Sequence, residues 1–370
     1  MRIAMLGHKR IPSREGGVEV VVSELAVRMA KLGHDVTCYN RKGHHVSGKE
    51  YDTLPLKVYH GVTLKTVPAI DVKGLSAMTA SVFASVFAAF GKYDVVHFHT
   101  EGPCATLWLP KLFGKRCVVT VHGLDHQRSK WGRFARAYIL LGEKVAAKFA
   151  DEIIVLSRNV QDYFKQTYGR ETRYLPNGVV PVEKKPAEQI EQEYGLQKDG
   201  YLLYLGRITP EKGIHYLIEA YKGLETDKKL VIAGGASDSQ AYFDELKASA
   251  AGDERILFTG FVQGQMLEEL YSNAYVYVLP SDLEGMPLSL LEAMSYGNCC
   301  VVSDVPECTE VVGDMGLVFP RGDVSGLREC LKHVCANPAE VANYKAQAAP
   351  YINSRYHWDD VTEQTIELYQ

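Results

Sequence analysis

Short apolar runs and longer amphipathic stretches alternate along the chain, with turn residues between them. In the first half, residues 2–6, 35–39, 95–99, 117–121, 153–156 and 172–175 are brief apolar or β-branched runs, which predicts strands. Helical spacing fills 18–32, 130–149 and 159–168. After Pro176-Asn177-Gly178 the pattern softens into 182–197, rich in Pro, Glu and Lys, which predicts a linker and an opening helix. A second strand series follows at 201–205, 230–233, 256–259, 274–279, 299–303 and 316–318. This alternation predicts an α/β class with parallel sheets, in two doubly wound Rossmann-like domains facing each other across a ligand crevice at their strands' carboxyl ends.

A chain of 370 residues exceeds one ordinary core, so the expected domains are 1–178 and 179–352. A terminal helix at about 353–370 could pack back on the first domain. Residues 75–90 are nearly free of charge and carry Val82, Phe83, Val86, Phe87 and Phe90. They fall short of the roughly 20 apolar residues that span a membrane. A buried or half-buried core helix is expected, with a lipid contact in the membrane plane as the alternative.

Composition adds two points. The start, Met1-Arg2-Ile3-Ala4-Met5-Leu6-Gly7, reads as a strand entering a glycine turn rather than a signal peptide. The eight cysteines form no C-x-x-C pair, so reduced thiols and a cytoplasmic location are expected. Charge is split: residues 1–178 carry 26 Lys and Arg against 15 Asp and Glu (+11), and residues 179–370 carry 15 against 30 (−15), giving the chain's −4. Either the first half faces something anionic (a membrane surface, a phosphorylated lipid, nucleic acid) or the two halves attract each other.

Candidate chemistry concentrates in turns after strands. Glu284-Gly285-Met286-Pro287-Leu288-Ser289-Leu290-Leu291-Glu292 sets two carboxylates around a predicted helix start, with Pro287 suited to the first helical position. Backbone donors at Met286, Leu288 and Ser289 would sit at the positive end of the helix, which suits a phosphate. Glu292 lies roughly 7 Å further along the axis, about the reach from a diphosphate to a ribose, and Glu284 can meet a group on the other side. In Gly206-Arg207-Ile208-Thr209-Pro210-Glu211-Lys212-Gly213, one βα turn holds two cations, a planar fork and a point charge able to neutralise a diphosphate. Surface charge on a turn is the plainer alternative. Gly16 and Gly17 open the first helix and let backbone approach a phosphate or sugar, although G-x-G-x-x-G is absent.

His97, His99 and His122 end strands, and alternation puts His97 and His99 on one face. The neighbours Glu101, Asp125 and His126 lack a familiar ligand spacing and no D-x-D occurs, so no metal is expected. His99 and Glu101 remain acceptor-contact candidates, and His122, followed by a glycine, is the better functional one. Cations cluster at 111–116 and across Arg128, Lys130, Arg133, Arg136, Lys144 and Lys148, interleaved with Trp108, Trp131 and Phe134. Such a patch could hold anionic lipid or a lipid diphosphate, or be a solvated face. The acidic second half and the lack of a recognised module argue against nucleic acid.

Together these residues resemble the family 4 glycosyltransferases of GT-B fold. The resemblance rests on Gly16-Gly17, Thr120-Val121-His122-Gly123, Pro176-Asn177-Gly178, Gly206-Arg207 with Glu211-Lys212-Gly213, Thr259-Gly260-Phe261-Val262, and the spacing of Glu284 and Glu292. It implies a retaining, metal-independent transfer from a UDP- or dTDP-sugar, with no cofactor. Glu292 would hold ribose hydroxyls, Glu284 donor-sugar hydroxyls, Arg207 and Lys212 the leaving diphosphate, and the backbone near Val262 the base. Gly17 and His122 would meet the donor from the other domain. Phe98-His99-Thr100-Glu101-Gly102-Pro103 and Gly123-Leu124-Asp125-His126-Gln127-Arg128 look like the bacterial capsule and cell-surface polysaccharide members, some of them rhamnosyltransferases. The implied partner is a saccharide or polyprenyl-diphosphate-linked acceptor; the +11 first half and its basic helices separately suggest a peripheral contact with the inner face of the plasma membrane. Met286-Pro287 departs from the aromatic and glycine of many members, which bears on sugar preference. A nucleotide-sugar 2-epimerase and a non-catalytic nucleotide-sugar binder share this plan and are the competing readings.

Overall fold

In the computed structural model, one unit takes Met1–Asn177 and Trp358–Gln370, the other Gly178–His357. All residues are described except 46, 47, 49–51, 53–55, 71, 73, 74, 129, 237 and 238.

The first unit runs β1 (Arg2–Leu6), α1 (Gly17–Lys31), β2 (Asp35–Arg41), β3 (Val58–Tyr59), β4 (Val62–Val67), α2 (Leu75–Phe90), β5 (Val95–His99), α3 (Trp108–Leu112), β6 (Arg116–Val121), α4 (Arg133–Phe149), β7 (Glu152–Val155), α5 (Arg158–Tyr168) and β8 (Arg173–Tyr174). Its sheet has the order β3-β4-β2-β1-β5-β6-β7-β8 and is parallel apart from the β3–β4 pair. The strand order reverses between β1 and β5, so the loops after them meet at a topological switch point. They meet closely: a Cβ on Gly7, whose φ is +106°, would lie 2.1 Å from the His99 carbonyl oxygen.

Helix α2 reverses the simplest expectation for its apolar stretch. Its buried stripe is small, Ala80, Ser81, Ala84, Ser85, Ala88 and Ala89, while Phe83, Phe87 and Phe90 face outward at 41, 47 and 70% exposure. Small side chains let the helix lie close against its neighbours, and the aromatic rings take the opposite face. Phe90 packs edge-on against Phe113 just beyond α3, with centroids 4.6 Å apart. Among the described residues no helix is long and apolar enough to cross a membrane.

The second unit runs α6 (Gln189–Tyr194), β9 (Tyr201–Leu205), α7 (Ile214–Lys222), β10 (Lys229–Ala233), α8 (Gln240–Ala250), β11 (Ile256–Gly260), α9 (Gly264–Asn273), β12 (Val276–Leu279), α10 (Leu288–Ser295), β13 (Cys299–Ser303), α11 (Pro306–Val312), β14 (Gly316–Phe319), α12 (Val324–Ala336) and α13 (Pro338–Asn353). Its sheet, β11-β10-β9-β12-β13-β14, is parallel throughout and reverses between β9 and β12. Strands β9, β12 and β13 are buried at every position, which is why they read as unbroken apolar runs.

Helix α14 (Trp358–Glu367) belongs to the first unit. Arg28 Nε of α1 donates to Asp359 at 2.8 Å, and Arg116 Nε donates to the Leu368 carbonyl at 2.9 Å. The Tyr369 hydroxyl reaches His97 Nδ1 at 2.7 Å.

Candidate active site

In the second unit, β9 delivers Gly206 and Arg207, a 3-10 turn covers Pro210–Lys212, and Gly213 caps α7. Gly213 has φ +64°, and a Cβ there would lie 1.9 Å from the Pro280 carbonyl oxygen. Only glycine lets the loop after β9 come so close to the loop after β12. That approach puts Lys212 Nζ 2.6 Å from Glu284 Oε1, and the Ser281 hydroxyl donates to the same oxygen at 2.6 Å. The Lys212 and Glu284 side chains are 15% and 6% exposed, so the pair is largely desolvated.

The two cations of the turn therefore differ. Lys212 is held by a carboxylate, whereas half-buried Arg207 has no carboxylate partner among the described residues. An arriving anion would meet Arg207 uncompensated and compete with Glu284 for Lys212. Sequence reading passed over Glu211, between them. It is buried, and both of its carboxylate oxygens lack a hydrogen-bond partner, as does the Thr209 hydroxyl. The available signal was its place in the same turn.

Buried tyrosines pin this region. Tyr204 donates to the Arg207 carbonyl at 2.8 Å, fixing the turn from beneath. Tyr277 ties the end of β9 to α10, reaching the Leu205 carbonyl at 3.1 Å and Ser289 Oγ at 2.8 Å. Pro287 is the N-cap of α10 (ψ 101°) rather than its first helical residue, and its carbonyl accepts from the Leu290 and Leu291 amides at 3.1 and 3.2 Å. The amides of Leu288 and Ser289 have no acceptor among the described residues, and no acidic side chain sits in the first turn. Glu292, half-buried on the same helix, lies 3.4 Å from the Tyr271 hydroxyl. Met286 and Val262 are buried, Val262 in the loop between β11 and α9.

In the first unit, Gly16 is the extended N-cap of α1 and Gly17 its first residue. Glu19 lies buried in that first turn and accepts the Lys9 amide at 2.9 Å. Burial alone would raise its pKa, but the charge and amide of Lys9 bring it below the ordinary carboxyl value. The positive end of α1 thus already holds a carboxylate, which disfavours a phosphate at Gly16 and Gly17 and leaves a neutral sugar hydroxyl as the better match.

The rings of His97 and His99 lie with centroids 4.2 Å apart and tilted by 30°, and His99 Nδ1 lies 3.0 Å from His122 Nε2. Burial pulls His97 down to about 3 and His122 to about 4, and takes His99 well below the ordinary imidazole value. His99 and Glu101, the acceptor-contact candidates, are fully buried. His99 backs His122, and Glu101 accepts the Asp125 amide at 3.0 Å.

Glu101, His126 and Glu143 each bring one possible ligand atom within 4.8 Å of the others, a group hidden from sequence spacing because Glu143 comes from α4. The oxygens of Glu143 already accept from Tyr163 and Tyr168 and lie 3.1 Å from His126 Nδ1, so a cation would have to displace these partners.

Two family models cover most of the chain: Glycosyltransferase Family 4 matches residues 15–182, and Glycosyl transferases group 1 matches residues 186–350. The alpha-maltose-1-phosphate synthase of Mycolicibacterium smegmatis is 27% identical, covering 100% of this chain and 99% of that protein. The O-antigen chain mannosyltransferase B of Escherichia coli is 32% identical over 51% of each. Sucrose-phosphate synthase from Thermosynechococcus elongatus superimposes with a TM-score of 0.84 at 22% identity, covering 100% of this chain and 98% of that one. Anabaena HepE, in complex with UDP-glucose, does so with a TM-score of 0.82 at 18% identity, covering 99% and 98%. At these identities the structural likeness speaks for the fold: two Rossmann-like α/β domains with parallel sheets, as in GT-B glycosyltransferases.

Proposed function

The chain belongs to the Family 4 glycosyltransferases, and from its side chains we propose a retaining, metal-independent enzyme that moves a hexose or deoxyhexose from a nucleotide diphosphate sugar. The acceptor is a glycan or lipid-linked saccharide in bacterial surface-polysaccharide synthesis, of which capsule assembly and rhamnosyl transfer are specific forms. The carrying observation is the switch-point cluster in the second unit. Lys212 is paired with Glu284, Arg207 has no carboxylate partner among the described residues, and two α10 amides are open.

Arg207, Lys212 and the Leu288 and Ser289 amides hold the diphosphate. Both hydrogen bonds to Glu284 fall on Oε1, which keeps Oε2 for a donor-sugar hydroxyl. Glu292 takes the ribose, and Val262 and Met286 flank the base side. In the reaction the C1–O bond to the diphosphate breaks while the acceptor oxygen bonds C1 on the same face. The acceptor proton passes to the departing phosphate oxygen. The protein supplies alignment and charge neutralisation.

A UDP- or dTDP-sugar is the expected donor; HepE, crystallised with UDP-glucose, supports a uridine nucleotide. The E. coli relative's O-antigen chain supports a surface glycan. The outward rings of α2, with Phe113 beside them, support a peripheral membrane contact, which sedimentation with anionic vesicles checks. The direct experiment is a donor screen across UDP-, GDP- and dTDP-sugars with and without acceptor, scored by product mass. Acceptor-dependent nucleotide release supports transfer. An epimeric nucleotide sugar formed without acceptor would sink it.

A further inference from the structure

Two carboxylates and an imidazole meet inside the first unit, none of them assigned to the donor. Glu101 stands where the loop after β5 enters a 3-10 turn, His126 lies in the 3-10 turn after β6, and Glu143 is in the middle of α4. Gly142 sets the approach. A Cβ there would lie 2.0 Å from the Glu101 carbonyl oxygen, so α4 rests against the loop only through a residue with no side chain. Its neighbour Glu143 is thereby brought to Glu101, and one possible ligand atom from each of the three side chains lies within 4.8 Å of the others.

One atom of the group has nothing to meet. Glu101 is fully buried; its Oε1 accepts the Asp125 amide at 3.0 Å, while Oε2 has no hydrogen-bond partner. Burial, and then the charge of Asp125, push this carboxyl well above the ordinary carboxylate range. A proton does not resolve the conflict, because a proton on Oε2 would itself lack an acceptor. A cation does. It meets the bare oxygen, and two positive charges balance Glu101 and Glu143.

The other two ligands are already placed. His126 Nδ1 and Glu143 Oε2 are 3.1 Å apart. Tetrahedral ligands bonded to zinc at about 2.0–2.1 Å stand roughly 3.3 Å from one another. Tyr163 and Tyr168 of α5 donate to Glu143 Oε1 at 2.7 and 2.5 Å and orient the carboxylate. Of the partners an ion displaces, His126 becomes a ligand by giving up its Nδ1 proton, and a tyrosine that leaves Oε1 can bond a water on the ion. One imidazole with two carboxylates suits zinc, whereas calcium and magnesium take oxygen ligands throughout.

We propose that Glu101, His126 and Glu143 bind one zinc ion, with water in the fourth position, and that the ion ties the loops after β5 and β6 to α4. None of its ligands is among the groups assigned to the diphosphate, so sugar transfer itself stays metal-independent.

The test is metal binding by the full chain. Protein stripped with EDTA and freed of the chelator is titrated with zinc chloride by calorimetry, and its Tm is followed by circular dichroism. One zinc per chain is expected, with a Tm that rises as zinc is added. Magnesium chloride at the same concentration should leave the Tm where it was. Glu101→Gln keeps the side-chain volume and an acceptor for the Asp125 amide but removes the charged ligand, and His126→Gln acts at a half-buried position. Each should weaken zinc binding tenfold or more and abolish the rise in Tm; if E101Q does not fold, H126Q decides alone. Wild type that takes up no zinc, or whose Tm zinc does not raise, would overturn the proposal. So would variants that hold zinc as tightly as wild type, which would place the ion on other side chains, or magnesium acting as well as zinc.

Discussion

The two units share a strand plan and a switch point but fill the core near it with different polar groups. The second unit uses tyrosines, Tyr201, Tyr204 and Tyr277, each with its hydroxyl bonded and two of them anchoring functional loops. The first uses imidazoles, His97, His99 and His122, kept neutral by burial, with His99 Nε2 left unbonded. A tyrosine hydroxyl both donates and accepts without changing charge across the cellular range, so it makes a pH-indifferent scaffold. A buried histidine is a scaffold only while it stays unprotonated. In the second unit the hydroxyl of Thr209 and both carboxylate oxygens of Glu211, in the anion turn, lack a hydrogen-bond partner.

The sharpest test of the contrast is at the anion turn. Lys212→Ala should raise the barrier by about 3 kcal/mol, on the order of a hundredfold in kcat, with the fold intact by circular dichroism. Undiminished turnover would mean that the second unit's turn does not carry the chemistry.

Next in size is acid sensitivity. The folded-state pKa values of the three imidazoles lie below the unfolded value, so their contribution is complete above about pH 6.5 and lost as pH falls towards 4. Between pH 7 and pH 6 the three together should cost on the order of 2 kcal/mol. All three tryptophans, Trp108, Trp131 and Trp358, lie in the first unit, so their fluorescence follows its melting alone. A fluorescence-detected Tm that does not move over that interval would break the comparison. The smallest effect expected is from Tyr277→Phe, which should lower stability by about 1 kcal/mol and leave the pH profile of the second unit unchanged, read by calorimetry.

The strands of both sheets were legible because buried parallel strands write themselves as apolar runs. The β3–β4 ribbon was not: Val58 is 60% exposed and the ribbon turns at His60 and Gly61, so its short alternation is diluted by polar residues. The outward rings of α2 also escaped, since periodicity identifies an apolar helix without saying whether alanines or phenylalanines face the sheet. Arg207, Lys212 and Glu284 could be singled out because a glycine-bracketed turn after a strand is a local pattern. The contact between Lys212 and Glu284 spans 72 residues and needed the fold. So did the grouping of Glu101, His126 and Glu143, and the full burial of His99 and Glu101.

The return of α14 has a bearing on how the protein is made. Residues 358–370 leave the ribosome only after the whole second unit, so the first unit, begun earliest, is finished last. Until then the ring nitrogen of His97 that Tyr369 will occupy has to wait, and a nascent-chain stall anywhere in the second unit would hold its predecessor in an incomplete state open to chaperones.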